Sequence, residues 1–461
     1  MFGAGRIFEG MRHTVAISDI HLCEIEPTDG LWMRYRQAPF TPDRELAAML
    51  DALRARVGKD KLSLVLNGDV FDFDAPRVID GRTVFHDLPR TAEHALPALH
   101  GILDDHPEFV AALGRVLAEG HEVVFISGNH DVQLTLPEIR EALAARLADA
   151  AGDGAPRASV LERIVFRAWF HETTDGILLE HGHQYDAYCS YRTPMAPFGP
   201  DSKEIQPTMG SLCTRNLLSR MGFFNPHVDS SFMLSAFGYL AHWARYYLFS
   251  NRSLAFAYVA GAARTLAELV RRRFPGNRAR RRADVLAAAR ETQSPLVRVA
   301  RHARLFAAPS EDRLSLVLRE FWVDRIALVA VTVALGLLLF FVAGGPFVVG
   351  AAVVPALFVT YEIAVPKLEL DETWRRVQQV ARRVARVHRA RAVVFGHTHK
   401  PEGSWENGVF HGNTGSWSPA YADLACTQPL SPERPLIWLR SEGDRLEGGL
   451  VRWADGRFSE S

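Results

Sequence analysis

Residues 62–72 have the sequence Leu-Ser-Leu-Val-Leu-Asn-Gly-Asp-Val-Phe-Asp, and the fold can be worked out from this stretch. The apolar run 62–66 is typical of a buried β-strand, and a glycine at position 68 lets the backbone turn directly after it. Asp69 and Asp72 follow at the carboxyl end of this run. The stretch therefore predicts a strand that brings carboxylates to one edge of a sheet.

Four other blocks rich in histidine or aspartate follow short apolar runs in the same way. The runs cover residues 14–17, 123–126, 177–179 and 392–395. The blocks after them are Asp19-Ile20-His21, Gly128-Asn129-His130-Asp131, His181-Gly182-His183 and Gly396-His397-Thr398-His399. Because ligands at the carboxyl ends of buried strands converge in space, the five blocks together predict a two-metal hydrolytic site.

The chain is expected to be an α/β protein with an interrupted middle. Residues 12–200 alternate β-type runs with helical stretches at 43–57, 108–119 and 137–150. The strand pattern resumes near Ala392. This predicts a core in two parts, 12–200 and 367–461. Between them lie a helical, aromatic and Arg-rich insertion at 201–325 and an apolar segment at 326–366.

Composition limits the possible partners. Among its 461 residues the chain has 53 basic and 53 acidic side chains, so the net charge is +0 and no nucleic-acid partner is expected.

Four separated cysteines, without a CxxC pair, predict neither a disulfide framework nor a zinc-thiolate site. The first ten residues contain Arg6 and Glu9 and no apolar run, so no signal peptide is predicted. The sequence does not predict the oligomeric state.

The apolar segment predicts a membrane hairpin. Residues 326–343 carry no charge, and residues 347–361 are again uncharged after a Gly-Gly-Pro break. This pattern favours two membrane-embedded helices, and a buried hairpin in a soluble core is the alternative. The 36 residues from 326 to 361 correspond to about 54 Å of helix, against about 60 Å for two crossings, so a shallow re-entrant hairpin also fits.

The topology of this hairpin is constrained by the blocks on both sides of it. Because these blocks must meet in one site, the chain enters and leaves the membrane on the same face. Both flanks are basic, with Arg298, Arg301 and Arg304 before the segment and Arg375, Arg376, Arg382, Arg383, Arg386, Arg389 and Arg391 after it. The positive-inside rule therefore predicts a membrane protein whose catalytic part faces the cytoplasm.

The second flank also has the pattern of an amphipathic helix. Its apolar positions recur at helical spacing, at Val377, Val380, Val384 and Val387. We expect this stripe to pack against the core, while the arginines either remain solvated or contact anionic lipid headgroups.

The residue types in the blocks suit divalent metals. Two ions roughly 3.5–4 Å apart can clamp a phosphoryl group for in-line attack by a bridging hydroxide. Asp19 and His21 alternate along the chain, as do His397 and His399, so each pair can face one side if its segment stays extended. Asn129 offers a neutral amide oxygen. Without thiolates, Mn²⁺ is favoured, and Fe and Zn²⁺ remain open.

Taken in order, the blocks resemble the motifs of the calcineurin-like metallophosphoesterase superfamily. These motifs are Asp-x-His, Gly-Asp-x-x-Asp, Gly-Asn-His-Asp/Glu, a later His, and Gly-His-x-His. The resemblance covers roughly residues 13–185 and 391–418. It implies a metal-dependent phosphoric ester hydrolase with a four-layer α/β/β/α sandwich of two mixed sheets. The large helical insertion with its apolar membrane hairpin would be an addition to that fold.

The resemblance also implies a ligand set. The first metal would be held by Asp19, His21, Asp69 and His399. Asp69 would bridge to the second metal, which would be completed by Asn129, His181 and His397. The fourth block offers both His181 and His183. The family ligand closes its strand directly, which selects His181 and leaves His183 on the substrate side.

Three further residues receive expected roles from the same resemblance. His130 would stabilise the developing charge or protonate the leaving oxygen, with Asp131 orienting its ring. Asp72 is expected to lie behind the ligands. The segment 413–417, Asn-Thr-Gly-Ser-Trp, looks like the family's closing strand and turn, without a catalytic role.

Within the superfamily, the chain looks most like the UDP-2,3-diacylglucosamine pyrophosphatase branch. The likeness lies in residues 18–23 (Ser-Asp-Ile-His-Leu-Cys), the Gly-Asp-x-Phe-Asp form and the His-Gly-x turn. That branch acts on a lipid-linked nucleotide diphosphate at the inner membrane surface, and its helical insertion grips acyl chains. It commonly has Arg where this chain has His130, so a general phosphodiesterase chemistry is the expectation.

The sequence thus predicts a membrane-associated dimetal phosphoesterase that hydrolyses a phosphodiester or pyrophosphate bond. A lipid-linked molecule is one candidate substrate. The first alternative is a phosphomonoesterase, or a protein or nucleotide phosphatase, that the hairpin only tethers to the membrane. The second is a catalytically silent membrane scaffold, which would be expected to have lost ligands, whereas no ligand is missing here.

Overall fold

A computed structural model describes most of both core parts and pieces of the region between them. The described residues are 10–27, 33–85, 88–198, 204–221, 254–271, 278–313, 323–343, 370–421, 425–431 and 433–460, with short pieces at 244, 315, 317–318, 321, 356, 359–361, 363 and 423. Most of the aromatic stretch at 231–260 and half of the basic stretch at 271–282 lie outside them.

Seven strands of the described residues form the first mixed sheet. In spatial order they are β14 (Arg457–Glu460), β13 (Arg445–Ala454), β12 (Arg434–Glu442), β1 (Arg12–Ile17), β2 (Lys61–Asn67), β5 (Glu122–Ile126) and β6 (Ile164–Arg167). The strands β1, β2, β5 and β6 run parallel, with Ile17 opposite Leu66 and Leu66 opposite Phe125. The carboxyl ends of β1, β2 and β5 therefore lie at one edge.

Five strands of the described residues form the second mixed sheet. Their order is β10 (Glu402–Glu406), β11 (Val409–Asn413), β9 (Ala392–Phe395), β8 (Ile177–Glu180) and β7 (Phe170–Glu172). β8 and β9 are parallel, with Leu179 opposite Val394. A short hairpin of β3 (Arg77–Ile79) and β4 (Arg82–Val84) lies outside both sheets.

The described helices confirm the predicted alternation. They are α1 (Asp43–Val57), α2 (Ala92–Asp105), α3 (Pro107–Ala118), α4 (Pro137–Ala150), α5 (Arg157–Glu162), α6 (Met209–Cys213), α7 (Ser219–Met221), α8 (Leu254–Arg271), α9 (Arg278–Glu291), α10 (Leu296–Ala303), α11 (Val323–Ala343) and α12 (Leu370–His388). The predicted helices at 43–57 and 137–150 have these bounds in the structure, and the one predicted at 108–119 lies one residue earlier.

Alternating side chains divide the core into layers. On β2, Leu64 and Leu66 pack with the residues of α1 and α3, whereas Val65 packs with the second sheet. On β9, Val393 packs with α12 and Val394 with the first sheet. Because side chains of a strand point alternately to opposite faces, the two sheets pack face to face and helices cover their outer sides. This confirms a mixed α/β fold with two large mixed sheets.

The helix α12 has the predicted amphipathic character. Its apolar stripe is buried at Val377, Val380 and Val384. The arginines of the opposite side are exposed, at Arg375, Arg376, Arg382, Arg383 and Arg386, as is Arg389 just past the end of the helix. The stripe packs against the second sheet, so this helix joins the region before it to the core.

The first arm of the predicted hairpin lies in α11, which begins three residues before Ile326. The turn at 344–346 and most of the second arm, 347–361, fall outside the described residues. Within the described part of the chain, no helix combines the length and the apolarity needed to cross a membrane. The predicted two-helix membrane hairpin is therefore unsupported.

Candidate metal centre

The five blocks follow the carboxyl ends of β1, β2, β5, β8 and β9, and hydrogen bonds tie their loops together. The Asp19 N–H donates to the Gly68 carbonyl at 3.1 Å, and the Gly396 N–H donates to the His181 carbonyl at 2.9 Å. Parallel strands in each sheet place these ends on one side of the molecule. Residues that are 378 positions apart along the chain thus meet, since the His397 N–H donates to Asp19 Oδ2 at 3.1 Å.

Most of the predicted ligands have a left-handed backbone. This holds for Asp19 (φ 54°), His21 (φ 54°), Asp69 (φ 52°), His397 (φ 67°) and His399 (φ 57°). The conformation is uncommon for residues other than glycine and costs about 1 kcal/mol or more. It persists where surrounding contacts enforce it, and it is concentrated at functional sites. The condition under which each pair would share one side, an extended segment, is therefore not met at Asp19 and His21 or at His397 and His399.

The ligand atoms form two adjoining clusters. Asp19 Oδ1 lies 3.0 Å from His399 Nε2 and 3.9 Å from His21 Nε2. Asp69 Oδ2 lies 3.1 Å from His181 Nε2, which in turn lies 4.0 Å from Asp19 Oδ1. In each of the trios Asp19–His21–His399 and Asp69–His181–His397, the donor atoms all lie within 4.8 Å of one another. Each trio is therefore compact enough to surround one cation.

Asn129 supplies an independent test of whether a metal fits. Its side chain is buried, and its Oδ1 has no hydrogen-bond partner among the described residues. Leaving a buried acceptor unsatisfied costs about 1–3 kcal/mol, so such an atom calls for an explanation. The two neighbours of Asn129 in the chain, Gly128 and His130, lie against Asp69, and an amide oxygen is a suitable ligand for a divalent cation such as Mn²⁺.

The buried carboxylates and imidazoles of the cluster shift each other's pKa values. Burial alone would raise the pKa of Asp69, but the neighbouring His181 and His130 rings hold it well below its ordinary value. Burial would lower the pKa of His181, whereas the Asp69 and Asp19 carboxylates raise it to about 9. The carboxylates thus attract positive charge into a buried site. A divalent cation can supply that charge when the imidazoles are neutral.

The structure corrects the role of Asp131. Its carboxylate accepts the N–H groups of Gly128 at 2.6 Å and of Val70 at 2.8 Å. The ring of His130 is instead held by Asp72 and Asp74, with Nδ1 3.1 Å from Asp72 Oδ1 and 3.4 Å from Asp74 Oδ2. Asp131 is fully buried between two loops whose N–H groups need acceptors, so it fixes these loops and does not orient the ring.

Asp72 lies against the His130 ring together with Asp74, which was not predicted. Asp72 Oδ1 also accepts the N–H groups of Asp74 and Ala75, both at 3.0 Å, which fixes its position against His130. Burial raises the pKa of Asp74 to about 7. The only feature of the sequence that could have indicated a role for Asp74 is its i, i+2 spacing from Asp72. This spacing does not show that both side chains face His130, which only the structure reveals.

His183 lies within the ring cluster but not against the carboxylates. It is buried, and its ring centroid lies 5.5 Å from that of His181 and 6.4 Å from that of His397. Burial holds its pKa well below the ordinary value, so the ring is neutral. The structure therefore brings His181, and not His183, to Asp19 and Asp69. The substrate-side role of His183 stays a prediction.

A further residue that the sequence did not reveal is Asp186. Its Oδ2 lies 3.1 Å from His397 Nε2. A carboxylate on one ring nitrogen of a ligating histidine commonly fixes the ring and directs the other nitrogen to the metal. Asp186 follows the short helical turn His183–Tyr185, and no strand-end motif marks it in the sequence.

The segment 413–417 closes the site from one side. Asn413 Nδ2 donates to the Gly396 carbonyl at 2.7 Å. Ser416 Oγ and the Trp417 N–H both donate to the Asp19 carbonyl, at 3.1 Å and 3.0 Å. These bonds hold the left-handed Asp19 in place. In the structure the segment begins at the last residue of β11 and continues as a loop.

Two glycines are required by close approach. A Cβ at Gly68, whose φ is +89°, would overlap the His181 ring, and a Cβ at Gly128 would overlap the Asp69 carboxylate. The glycines of the second and third blocks thus leave room for ligands that come from other strands.

Comparison of the chain with known proteins assigns no family. No protein-family model matches it, and no match is found among curated proteins. The functional interpretation therefore depends on the blocks and on the geometry in which they meet.

Proposed function

We propose that the protein is a dimetal phosphoesterase of the calcineurin-like type, which hydrolyses a phosphodiester or pyrophosphate bond. One observation carries the proposal. Five strand-end blocks from two sheets bring Asp19, His21, Asp69, His181, His397 and His399 into two adjoining clusters. The buried Asn129 is next in the chain to His130, whose N–H donates to Asp69 Oδ1. A lipid-linked phosphoester is a candidate substrate.

The two clusters suggest how metals would be held. Asp19, His21, Asp69 and His399 would hold one ion, and Asp69, Asn129, His181 and His397 would hold the other. When bound, two divalent ions neutralise phosphoryl charge and activate water. The mixed oxygen and nitrogen donors, without a thiolate among these seven residues, favour Mn²⁺ and leave Fe or Zn²⁺ open.

His130 is the group placed to move a proton. Its Nδ1 lies against the Asp72 and Asp74 carboxylates. Asp69, Asp72 and Asp74 raise the pKa of the ring to about 10 against the opposing effect of burial, so the protonated form is favoured. The opposite nitrogen, Nε2, would then donate to a phosphoryl or leaving-group oxygen. A cationic ring in this position stabilises the charge that develops as the ester bond breaks.

Hydrolysis of two chromogenic substrates tests the activity. Purified protein with Mn²⁺ should cleave bis-p-nitrophenyl phosphate faster than p-nitrophenyl phosphate. The opposite preference would indicate the tethered phosphomonoesterase, and hydrolysis of neither by metal-loaded protein would indicate the silent scaffold.

Asp69→Asn tests the metal assignment, with the exposed Asp153→Asn as a matched control. Because Asn keeps a short polar side chain that tolerates the left-handed backbone, the fold should persist while turnover falls at least about 1,000-fold. Retained activity in Asp69→Asn would overturn the dimetal assignment.

Membrane association is part of the proposal and is supported by exposed apolar side chains on α11. Ile326, Leu337 and Phe341 are 62%, 54% and 78% exposed. Such an apolar surface needs a cover, and acyl chains provide one while the exposed arginines of α12 meet anionic headgroups from the cytoplasmic side. Carbonate-washed membranes should retain the full chain and release a variant that lacks residues 326–361. Retention of that variant would place the anchor elsewhere.

A further inference from the structure

A cavity of about 690 Å³ lies beside the candidate metal centre. Its walls come from residues 191–193, from α9 and α10, and from the segment 304–309 together with residue 312. Small-molecule sites commonly have volumes of roughly 300–1,000 Å³. The space is therefore large enough for a substantial part of a substrate.

Arginine is the dominant charged residue of this cavity. Its described lining includes Arg192, Arg281, Arg282 and Arg304, and Asp312 is the single acidic side chain in it. We call this space the arginine cavity. Guanidinium groups bind phosphate oxygens through paired, charge-assisted hydrogen bonds.

Two of these arginines are held by the protein and two are available to a ligand. Arg192 Nε lies 3.1 Å from Asp312 Oδ1, and Arg281 Nη2 donates to the Ala303 carbonyl at 3.3 Å. Arg282 and Arg304 form no ion pair with a described residue, and both are exposed. Their charge is therefore available to an anion that enters the cavity.

The remaining wall is largely apolar. Val285, Ala300 and Phe306 line it. Apolar walls displace water and strengthen the attraction between the arginines and an anionic group. The lining thus suits an organic molecule that carries an anion.

Tyr191 contacts both the arginine cavity and the residues of the metal centre. Tyr191 lines the cavity, and its hydroxyl donates to the Asn129 carbonyl at 3.1 Å. Its ring centroid lies 5.8 Å from that of His183. The arginine cavity therefore lies next to the part of the metal centre that contains Asn129 and His183.

We propose that the arginine cavity binds a second phosphate group, carried by the part of the substrate that does not react. This inference rests on the proposed phosphoesterase function. It restricts the substrate to phosphoesters with a further phosphate on an organic body. Binding energy at the remote phosphate would orient the ester at the metal centre.

A matched series of substrates tests the proposal. The series consists of p-nitrophenyl phosphodiesters of alkyl chains of increasing length, each prepared with and without a terminal phosphate. For at least one length, the terminal phosphate should raise kcat/KM about tenfold in the wild type. The gain should disappear in R282Q/R304Q and persist in Arg290→Gln, an exposed arginine of α9 outside the cavity. The inference is overturned if the terminal phosphate raises kcat/KM at none of the chain lengths, or if the rise persists in the double variant.

Calorimetric titration decides the same question without turnover. Hexyl phosphate and inorganic phosphate are titrated into the full-length wild type and R282Q/R304Q, and the difference between the proteins reports on the cavity alone. About tenfold weaker binding of either ligand by the double variant supports the inference. If the double variant binds both ligands more weakly, the cavity recognises phosphate itself. If it binds only hexyl phosphate more weakly, the cavity prefers an amphiphilic ligand. The inference is overturned if the wild type and R282Q/R304Q bind each of the two ligands with equal affinity.

These outcomes separate the inference from the function on which it rests. If no substrate is hydrolysed but the double variant binds phosphate more weakly, the cavity stands and the phosphoesterase assignment fails. If substrates are hydrolysed but neither measurement responds to the two arginines, the cavity assignment fails alone. Should the double variant not fold, the single variants Arg282→Gln and Arg304→Gln are judged by the same criteria.

Discussion

Gly128→Ala should disable the site without removing any predicted ligand. The added Cβ would overlap Asp69 Oδ1 and would lie 2.5 Å from the Asp69 backbone nitrogen. An ordinary contact begins at 3.4 Å, so the loop or Asp69 must move by about 0.9 Å, the difference between these two distances. Asp69 cannot yield easily, because its carboxylate accepts the His130 N–H at 2.7 Å and contacts His181 Nε2 at 3.1 Å.

The size of this displacement sets the expected effect. A shift of about 1 Å in a reacting group costs about 100-fold in rate, and overpacking in a closed interior costs about 1–3 kcal/mol. We therefore expect kcat/KM for bis-p-nitrophenyl phosphate to fall about 100-fold. The affinity for Mn²⁺ should fall as well, since Asp69 is shared by both proposed sites.

Kinetics and calorimetric metal titration provide the two measurements. Gly154→Ala is the matched control, because its Cβ would lie 3.7 Å from the Ala118 Cβ, an ordinary contact on an exposed loop. That variant should retain activity and metal affinity. Gly128→Ala with wild-type activity and metal affinity would refute the close packing of the third block against Asp69.

Three further predictions test other parts of the structure. In metal-free protein, Asp69→Ala should be about 1 kcal/mol less stable to urea than Asp69→Asn, because alanine tolerates the left-handed backbone less well; equal stabilities would argue against that conformation. The buried Arg36 donates to the carbonyls of Glu24 and Pro76, both at 2.8 Å, so Arg36→Lys should lower the free energy of unfolding by about 2 kcal/mol. The control Arg44→Lys, at an exposed arginine, should lower it little. A comparable loss of stability in both variants would contradict this role of Arg36. Burial lowers the pKa of His171 from 6.5 to about 4, so the unfolded chain takes up a proton first as the pH falls. This contribution to stability is complete above pH 6.5, and about 3 kcal/mol is lost as the pH falls to 4. Urea unfolding with EDTA should show a weaker acid dependence in His171→Leu, and an unchanged dependence would exclude His171 as the cause.

Local patterns in the sequence were sufficient to predict the strands that carry the site. The apolar runs before the five blocks are β1, β2, β5, β8 and β9, because a short buried run followed by a turn residue has few other ways to satisfy its backbone. The apolar stripe of α12 was predictable for the same reason, since its period is that of a helix.

The geometry of the ligands was decided by tertiary contacts. Nothing in the local sequence requires a left-handed backbone at Asp19 or His397, and that conformation persists because bonds from distant loops enforce it, such as the Trp417 N–H to the Asp19 carbonyl. The same holds for His130. Its sequence neighbour Asp131 turns inward to accept backbone N–H groups, and the more distant Asp72 and Asp74 hold the ring.

The sequence by itself therefore determined which strands form and which residue types stand at their ends, because both follow from the local spacing of apolar and polar side chains. The tertiary structure alone decided which side chains outside the five blocks approach the site. Asp186 approaches His397, and Tyr191 contacts both Asn129 and the arginine cavity, through folding of segments that share no local motif. Such contacts depend on how the sheets and helices pack, and packing joins residues whose separation along the chain carries no signal.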